Sequence, residues 1–402
     1  MLFPLVAASA KRLNRGCSWP LRRAILALVG LVLFHFAPPL LAAEPPDLDY
    51  ESMARIAVEK LELSEGERVL LRFDPDYFEE LPPLFRRFIR EAGAIDVAAI
   101  EYKLILPSDD AVDSDAEQAA FAELLESADV YIWLPVREQI RTTTQAERRA
   151  LAAWLDEGGA HRQIHFHWSQ GSVLADGLAG EHSQPLDRMY ADALEVDYQA
   201  MAEAQDRAIR VLKSGTVRVQ TPAGTDIRFR VGDRPFNKQD GDASARRMDS
   251  ARIRIDREIE LPAGVLRVAP LEESVQGTLV VPKARMQGKT VANIRLIIKN
   301  GKVTSLSADQ NQDALEAELA SGGDAARSFR EFGLGFHPKL VRIPGNEILP
   351  YFGYGAGVVR MSLGDNEELG GAVRGPYRRW LFFPDATVEI GDVVLVRDGV
   401  LR

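Results

Sequence analysis

The period of hydrophobic and polar positions changes along this chain, and the changes mark its elements. Residues 50–63 have helical spacing and end near Ser64-Glu65-Gly66-Glu67, where Gly66 can stop a helix. Residues 68–73 read as a buried strand. The pattern then repeats: a helix over 81–92 ending at Gly93, a strand over 95–102, a helix over 116–128 and a strand over 130–136. Such alternation predicts parallel crossover units, and so an open α/β domain with a mostly parallel sheet. Ligands of such sheets gather beyond the carboxyl ends of the strands, which makes 74–77 and 136–140 the expected cleft walls. No glycine-rich phosphate loop follows any of these strands, which argues against a nucleotide cofactor. Residues 186–212 read as one long helical region that links this part to the next.

From Gly215 the pattern turns strand-rich, predicting an α+β domain. Strands are expected over 216–220 and 226–231 around a Pro-Ala-Gly turn, then over 251–261, 266–268 and 278–281. Residues 291–298 and 303–306 predict a hairpin around Lys299-Asn300-Gly301-Lys302, because Asn-Gly supplies the positive φ a tight turn needs. Asp398-Gly399 marks a second turn of this kind. Residues 310–332 are expected to be helices interrupted at Gly322-Gly323, with Glu331 at their carboxyl side. The polar stretch 232–250, with Lys238, Asp240, Arg246 and Arg247, reads as a surface loop or a mobile lid.

Composition adds boundaries. A chain of 402 residues, 46% hydrophobic and 27% charged, is long enough for two cored domains. These are expected at 44–213 and 214–402. A net charge of -10 with interspersed signs argues against nucleic-acid partners. Residues 1–43 read as a targeting segment: Lys11, Arg12, Arg15, Arg22 and Arg23 precede an apolar run over 24–36, and Ala42 and Ala43 offer a cleavage site. The expectation is export, to the periplasm, with an uncleaved membrane anchor as the alternative. Cys17, the only cysteine, lies ahead of that run, so a mature chain would have no thiol nucleophile or thiolate metal site.

Specific landmarks recur in order through the second half: Thr-Pro-Ala-Gly-Thr-Asp-Ile-Arg-Phe at 221–229, Leu-Pro-Ala-Gly-Val at 261–265, Pro-Leu-Glu-Glu-Ser-Val-Gln-Gly at 270–277, Arg-Glu-Phe-Gly-Leu-Gly-Phe-His-Pro at 330–338, Gly-Val-Val-Arg-Met-Ser-Leu-Gly-Asp-Asn at 357–366 and Arg-Arg-Trp-Leu at 378–381. This series resembles the aminopeptidase T family of two-metal exopeptidases, which also includes iron-dependent dioxygenases that cleave dihydroxypyridine. The resemblance implies metal-ligand positions at Val265, Glu331, Arg360, Arg379 and Leu381, and homodimerisation. Only Glu331 offers a metal an electron pair in the family's manner; valine and leucine donate nothing, and guanidinium carries only N–H donors. No family-type metal site and no cofactor are therefore expected. The two arginines could replace the metals' charge, with Glu331 paired to Arg360 or Arg379, which predicts a ligand-binding pocket for a small anion or a peptide terminus.

Other constellations compete. His165 and His167 would share one face of a strand and could hold a divalent metal, with His161, His182 and Asp187 nearby in sequence. Glu331 and His337 are candidate catalytic groups, together with Glu272, Glu273, Tyr351 and Tyr354, as a novel acid/base set. The leading expectation is a binding or scaffolding protein for a peptide terminus, an amino acid or a small anion. An active peptidase or amidohydrolase with an altered site, or a metal enzyme using His165 and His167, is the alternative.

Overall fold

The computed structural model describes residues 48–104, 115–136 and 141–402. The targeting segment, Cys17 and residues 137–140 of the expected cleft wall lie outside them. No helix among the described residues is long and apolar enough to cross a membrane.

The predicted alternation forms. Helix α1 (Tyr50–Glu59) is capped by Asp49, whose side chain accepts from the Ser52 N–H at 2.9 Å. It is followed by β1 (Arg68–Phe73), α2 (Leu81–Glu91), β2 (Ile95–Glu101), α3 (Asp115–Glu126) and β3 (Val130–Trp133). Helix α4 (Gln145–Asp156) opens with a capping box between Thr144 and Glu147 and leads into β4 (Arg162–His165). The predicted single linker is two helices, α5 (Gln184–Leu194) and α6 (Tyr198–Lys213). Asp197 ends the first run by accepting from the Ala200 N–H at 2.9 Å and starting a new helix.

The strand expected over 251–261 is shorter and joins an unexpected sheet. Only β5 (Glu258–Glu260) is extended, and it lies parallel to β4 as the edge of the amino-terminal sheet, whose order is β5-β4-β3-β1-β2 with every pair parallel. The two halves therefore interlock, and Pro45–Arg402 forms one unit.

The rest is antiparallel. An eight-stranded sheet contains the predicted hairpin, Lys289–Lys299 with Lys302–Ser307, turning through Asn300 at φ 48° and Gly301 at φ 74°. A five-stranded sheet runs β9 (Arg378–Phe383), β8 (Val359–Gly364), β7 (Phe329–Gly335), β6 (Val265–Val268) and Asn237–Lys238. Strand β7 corrects the helical expectation for 310–332: the helices are Gln312–Ser321 and Gly323–Ala326, and Glu331 stands mid-strand. The stretch 232–250 is packed rather than lid-like. Asn237–Lys238 pairs with β6, and Arg247 is fixed to Asp240 at 2.8 Å and to the Lys238 carbonyl at 2.7 Å.

Candidate functional site

Strands β6 to β9 carry the implied ligand positions. Val265 opens β6, opposite Gly335, and Leu381 lies in β9; both are buried. Glu331 projects from β7 and is 0% exposed. Three guanidiniums meet its carboxylate. Arg267 reaches Oε2 at 3.0 Å, Arg360 reaches Oε1 at 2.7 Å, and Arg330 closes on Oε2 from the preceding position. Glu368 adds a second carboxylate, held by Arg267 at 3.1 Å, by Arg378 at 2.7 Å and by Arg330. It is placed by the short turn Glu367–Leu369, which Gly370 closes at φ 75°. Arg360 completes its surroundings with the Trp380 ring, 5.5 Å away.

Burial alone would raise the carboxyl of Glu331. Arg267, Arg330 and Arg360 overcome it and hold the group far below the usual carboxylate range. Burial lowers Arg330, while Arg267 is raised against its own burial by Glu331 and Glu368. A divalent ion does not fit here, because both carboxylates, Glu331 and Glu368, are already matched by fixed guanidiniums that would repel it. Among the described residues, no group of three His, Cys, Asp or Glu side chains is placed to hold a metal.

The other expected residues lie apart. Arg379 faces away from Glu331: it donates to the Arg285 carbonyl at 2.8 Å and sits 3.7 Å from Asp176 and 3.6 Å from Glu318. Arg360, not Arg379, is thus the partner of Glu331. His337 is buried with both ring nitrogens engaged, Nε2 with the Ala193 carbonyl at 2.9 Å and Nδ1 with the Lys339 N–H at 3.1 Å. Burial pushes it down to about 4, so it stays neutral and ties α5 to the segment after β7. Glu272 anchors the 366–372 turn through Asn366 at 3.1 Å and the Ala372 N–H at 2.9 Å. Tyr351 and Tyr354 are buried, with hydroxyls given to the Leu261 carbonyl and to Glu260.

His165 and His167 do share a neighbourhood. Their rings are 5.3 Å apart, and each packs edge-on against Trp133 at 4.8 Å. His167 contacts Gln170 at 3.2 Å, and burial holds His165 well below its ordinary value, with His167 adding to the effect. His182 belongs elsewhere, between Asp187 at 2.8 Å and the Ser172 hydroxyl at 2.6 Å.

That Ser172-His182-Asp187 relay was not specifiable from sequence. It resembles a hydrolytic triad, but Ser172 is 0% exposed and its oxygen also meets the Tyr190 hydroxyl at 2.8 Å. The N–H groups of residues 171, 172 and 173 are all spent on backbone carbonyls, leaving none of these for an oxyanion. The relay ties the 168–182 loop to α5.

A cavity of about 380 Å³ opens beside the Glu368–Arg378 end of the arginine network, bordered also by His165 and Glu258. Burial, together with Glu368, pushes the Glu258 carboxyl up to about 7. Sequence reading did not mark Glu258, Glu368, Arg267 or Arg330, which reach this region through pairings distant in sequence.

Comparison with known proteins bears on the whole arrangement. No curated protein matches the chain. Two solved structures are similar over 88% of it: 2,5-dihydroxypyridine dioxygenase from Pseudomonas putida KT2440, with 17% identity, a TM-score of 0.61 and 96% of that chain covered, and wild-type AmpT from Thermus thermophilus, with 16% identity, a TM-score of 0.59 and 98% covered. At these identities the likeness is one of fold. Residues 193–343, a window that contains Val265 and Glu331, match the thermophilic metalloprotease family M29, so the peptidase-family resemblance carried by the sequence landmarks stands.

Proposed function

We propose that this peptidase-like chain works without the family's metals, as an exported binding protein for a small ligand of the amino-acid or peptide-terminus kind. The observation that carries this reading is the state of Glu331, whose carboxylate is buried and matched by Arg267, Arg330 and Arg360. A carboxylate so held is a weak base and has no charge left for a cation, which disfavours the alternative of an active hydrolase built on Glu331. The cavity beside the network offers a partly open site of ligand size. A small anion is served less well there, because the guanidiniums at its edge are engaged: Arg378 with Glu368 and Asp365, Arg254 with Asp156 at 2.9 Å, and Arg148 with the Thr143 carbonyl.

Elemental analysis after incubation with zinc, cobalt, manganese or iron and removal of free ion tests the reading. Retention below about a tenth of an equivalent is expected, since no three ligating side chains cluster among the described residues. One or two tightly held equivalents would sink it, and substitution of His165, His167 and Glu331 would then locate the site.

A further inference from the structure

One face of the amino-terminal sheet breaks the pattern of its class. A parallel sheet covered on both sides is normally apolar in both directions. The face toward the main core obeys, with Val130, Ile132, Ile164 and Ile259 buried there. The opposite face carries Tyr131, Trp133, Gln163, His165 and Glu258, aligned across strands: Tyr131 beside Gln163 beside Glu258, and Trp133 beside His165. Helices α3 and α4 cover part of this face through Phe121, Leu125, Ala150 and Trp154. The remainder is the cavity, whose walls include those five residues and Tyr102.

Two observations point to a ligand. Gln163 is 1% exposed and lines the cavity, yet its Oε1 has no hydrogen-bond partner among the described residues; the same holds for Trp133 Nε1 and His165 Nε2. Polar groups are seldom buried unpaired without a reason. Among the described residues Glu258, moreover, has no arginine or lysine within ion-pair distance; His165 Nε2 lies 4.0 Å from it. Neighbouring Glu368, by contrast, is held by three arginines.

We infer that this cavity binds a small organic cation: a protonated primary amine on an aromatic or apolar body. The ammonium is matched by the carboxyl of Glu258, which no described arginine or lysine pairs directly, and by the amide oxygen of Gln163. The aromatic side chains of Tyr102, Tyr131 and Trp133 border the cavity and suit the apolar body. An anion would meet Glu258 and Glu368, while of the guanidiniums on the wall Arg254 and Arg378 are held by carboxylates and Arg148 by the Thr143 carbonyl. The volume lies near the lower end of ligand pockets, roughly 300–1,000 Å³, which selects a molecule of single amino-acid size over a longer peptide. The inference rests on the binding reading above and narrows its ligand to the amine.

Isothermal titration calorimetry on the purified full chain at about pH 8, where benzylamine is a cation and Glu258 ionises, provides the test. The probes are benzylamine, benzyl alcohol and benzoate, which share a ring and differ in charge. Benzylamine is expected to bind with Kd of about 1 mM or tighter, and the other two more weakly. Glu258→Gln should weaken benzylamine at least roughly tenfold, and Glu258→Asp less, by the loss or lengthening of a charge-assisted contact. Preference for benzoate, equal affinity of all three probes, or undiminished benzylamine binding by a folded Glu258→Gln chain would each overturn the inference. Should that variant not fold, the three-probe comparison on the unaltered chain decides alone. Metal content measured on the same sample separates the two readings: amine binding with retained metal refutes only the metal-free reading, and metal-free protein that ignores benzylamine refutes only this one.

Discussion

Glu331→Gln removes the anion on which Arg360 depends. Arg267 and Arg330 keep Glu368 after the change, but the sole carboxylate within reach of Arg360 among the described residues is Glu331, at 2.7 Å. The substitution therefore strands a guanidinium that is almost wholly buried, with the Trp380 ring as its remaining favourable contact. Breaking a buried pair from one side typically costs about 3–5 kcal/mol, because the uncompensated charge stays behind. Against a total stability of about 5–15 kcal/mol, that is a large share. In urea titrations at neutral pH the variant's midpoint should fall by about 1 M or more. Removing the stranded charge as well, in Glu331→Gln with Arg360→Met, should recover about 2 kcal/mol or more relative to additivity, the signature of a coupled pair. A single-variant loss under about 1 kcal/mol, or strict additivity in the cycle, would refute the claim that Glu331 is spent on these arginines.

Further outcomes follow from the same structure. Because the folded carboxyl of Glu331 lies far below its unfolded value, the stability it contributes is present above the unfolded pKa and is lost as pH falls below it; the wild-type chain should weaken steeply with acid below about pH 4.5, and Glu331→Gln should flatten that part of the melting profile. Glu258 runs the other way. Its pKa is raised to about 7, so its contribution is fully present below the unfolded value and disappears as pH rises through 7, and Glu258→Gln should stabilise the chain by about 2 kcal/mol at alkaline pH but not near pH 4, seen as a higher melting temperature only in the alkaline range. His337→Leu leaves the Ala193 carbonyl and the Lys339 N–H unpaired in the interior and should cost about 2 kcal/mol or more in urea unfolding, with no change in its dependence on metal. Arg379→Met should be nearly neutral toward any ligand of the cavity, since Arg379 borders Asp176 and Glu318 instead; loss of benzylamine binding in that variant would contradict this placement.

Much of the fold could be read from local signals. The helix-strand alternation up to residue 133 and the Asn300-Gly301 hairpin are written in short-range periodicity and turn chemistry, and both form. Strand β7 was misread as the end of a helical stretch because all seven of its residues are buried, which erases the period of two that marks a half-exposed strand. Fragment Glu258–Glu260 carries no local sign that it crosses to another sheet. Of the site, the family resemblance set Glu331 and Arg360 together, and the two stand as an ion pair. The rest of the network was not legible, because Arg267 and Glu368 arrive from afar. Arg267 stands 64 residues from Glu331, and Glu368 stands 101 from Arg267, distances at which nothing in one sequence records contact. Gln163 and Glu258 were unremarkable in the sequence, and only the register sets them on one face with His165.

The placement of β5 has a consequence for how the chain can be divided and synthesised. As the amino-terminal half emerges from the ribosome, β4 has one neighbour, β3, and its other side is a row of free backbone N–H and C=O groups. That side stays open until residues 258–260 have been made and have crossed back, a closure across nearly a hundred residues that is slow by the usual dependence on sequence separation. A fragment ending at Lys213 would carry this bare edge permanently and should self-associate through it. The long chain avoids that fate by lending three residues of its later half to its earlier one.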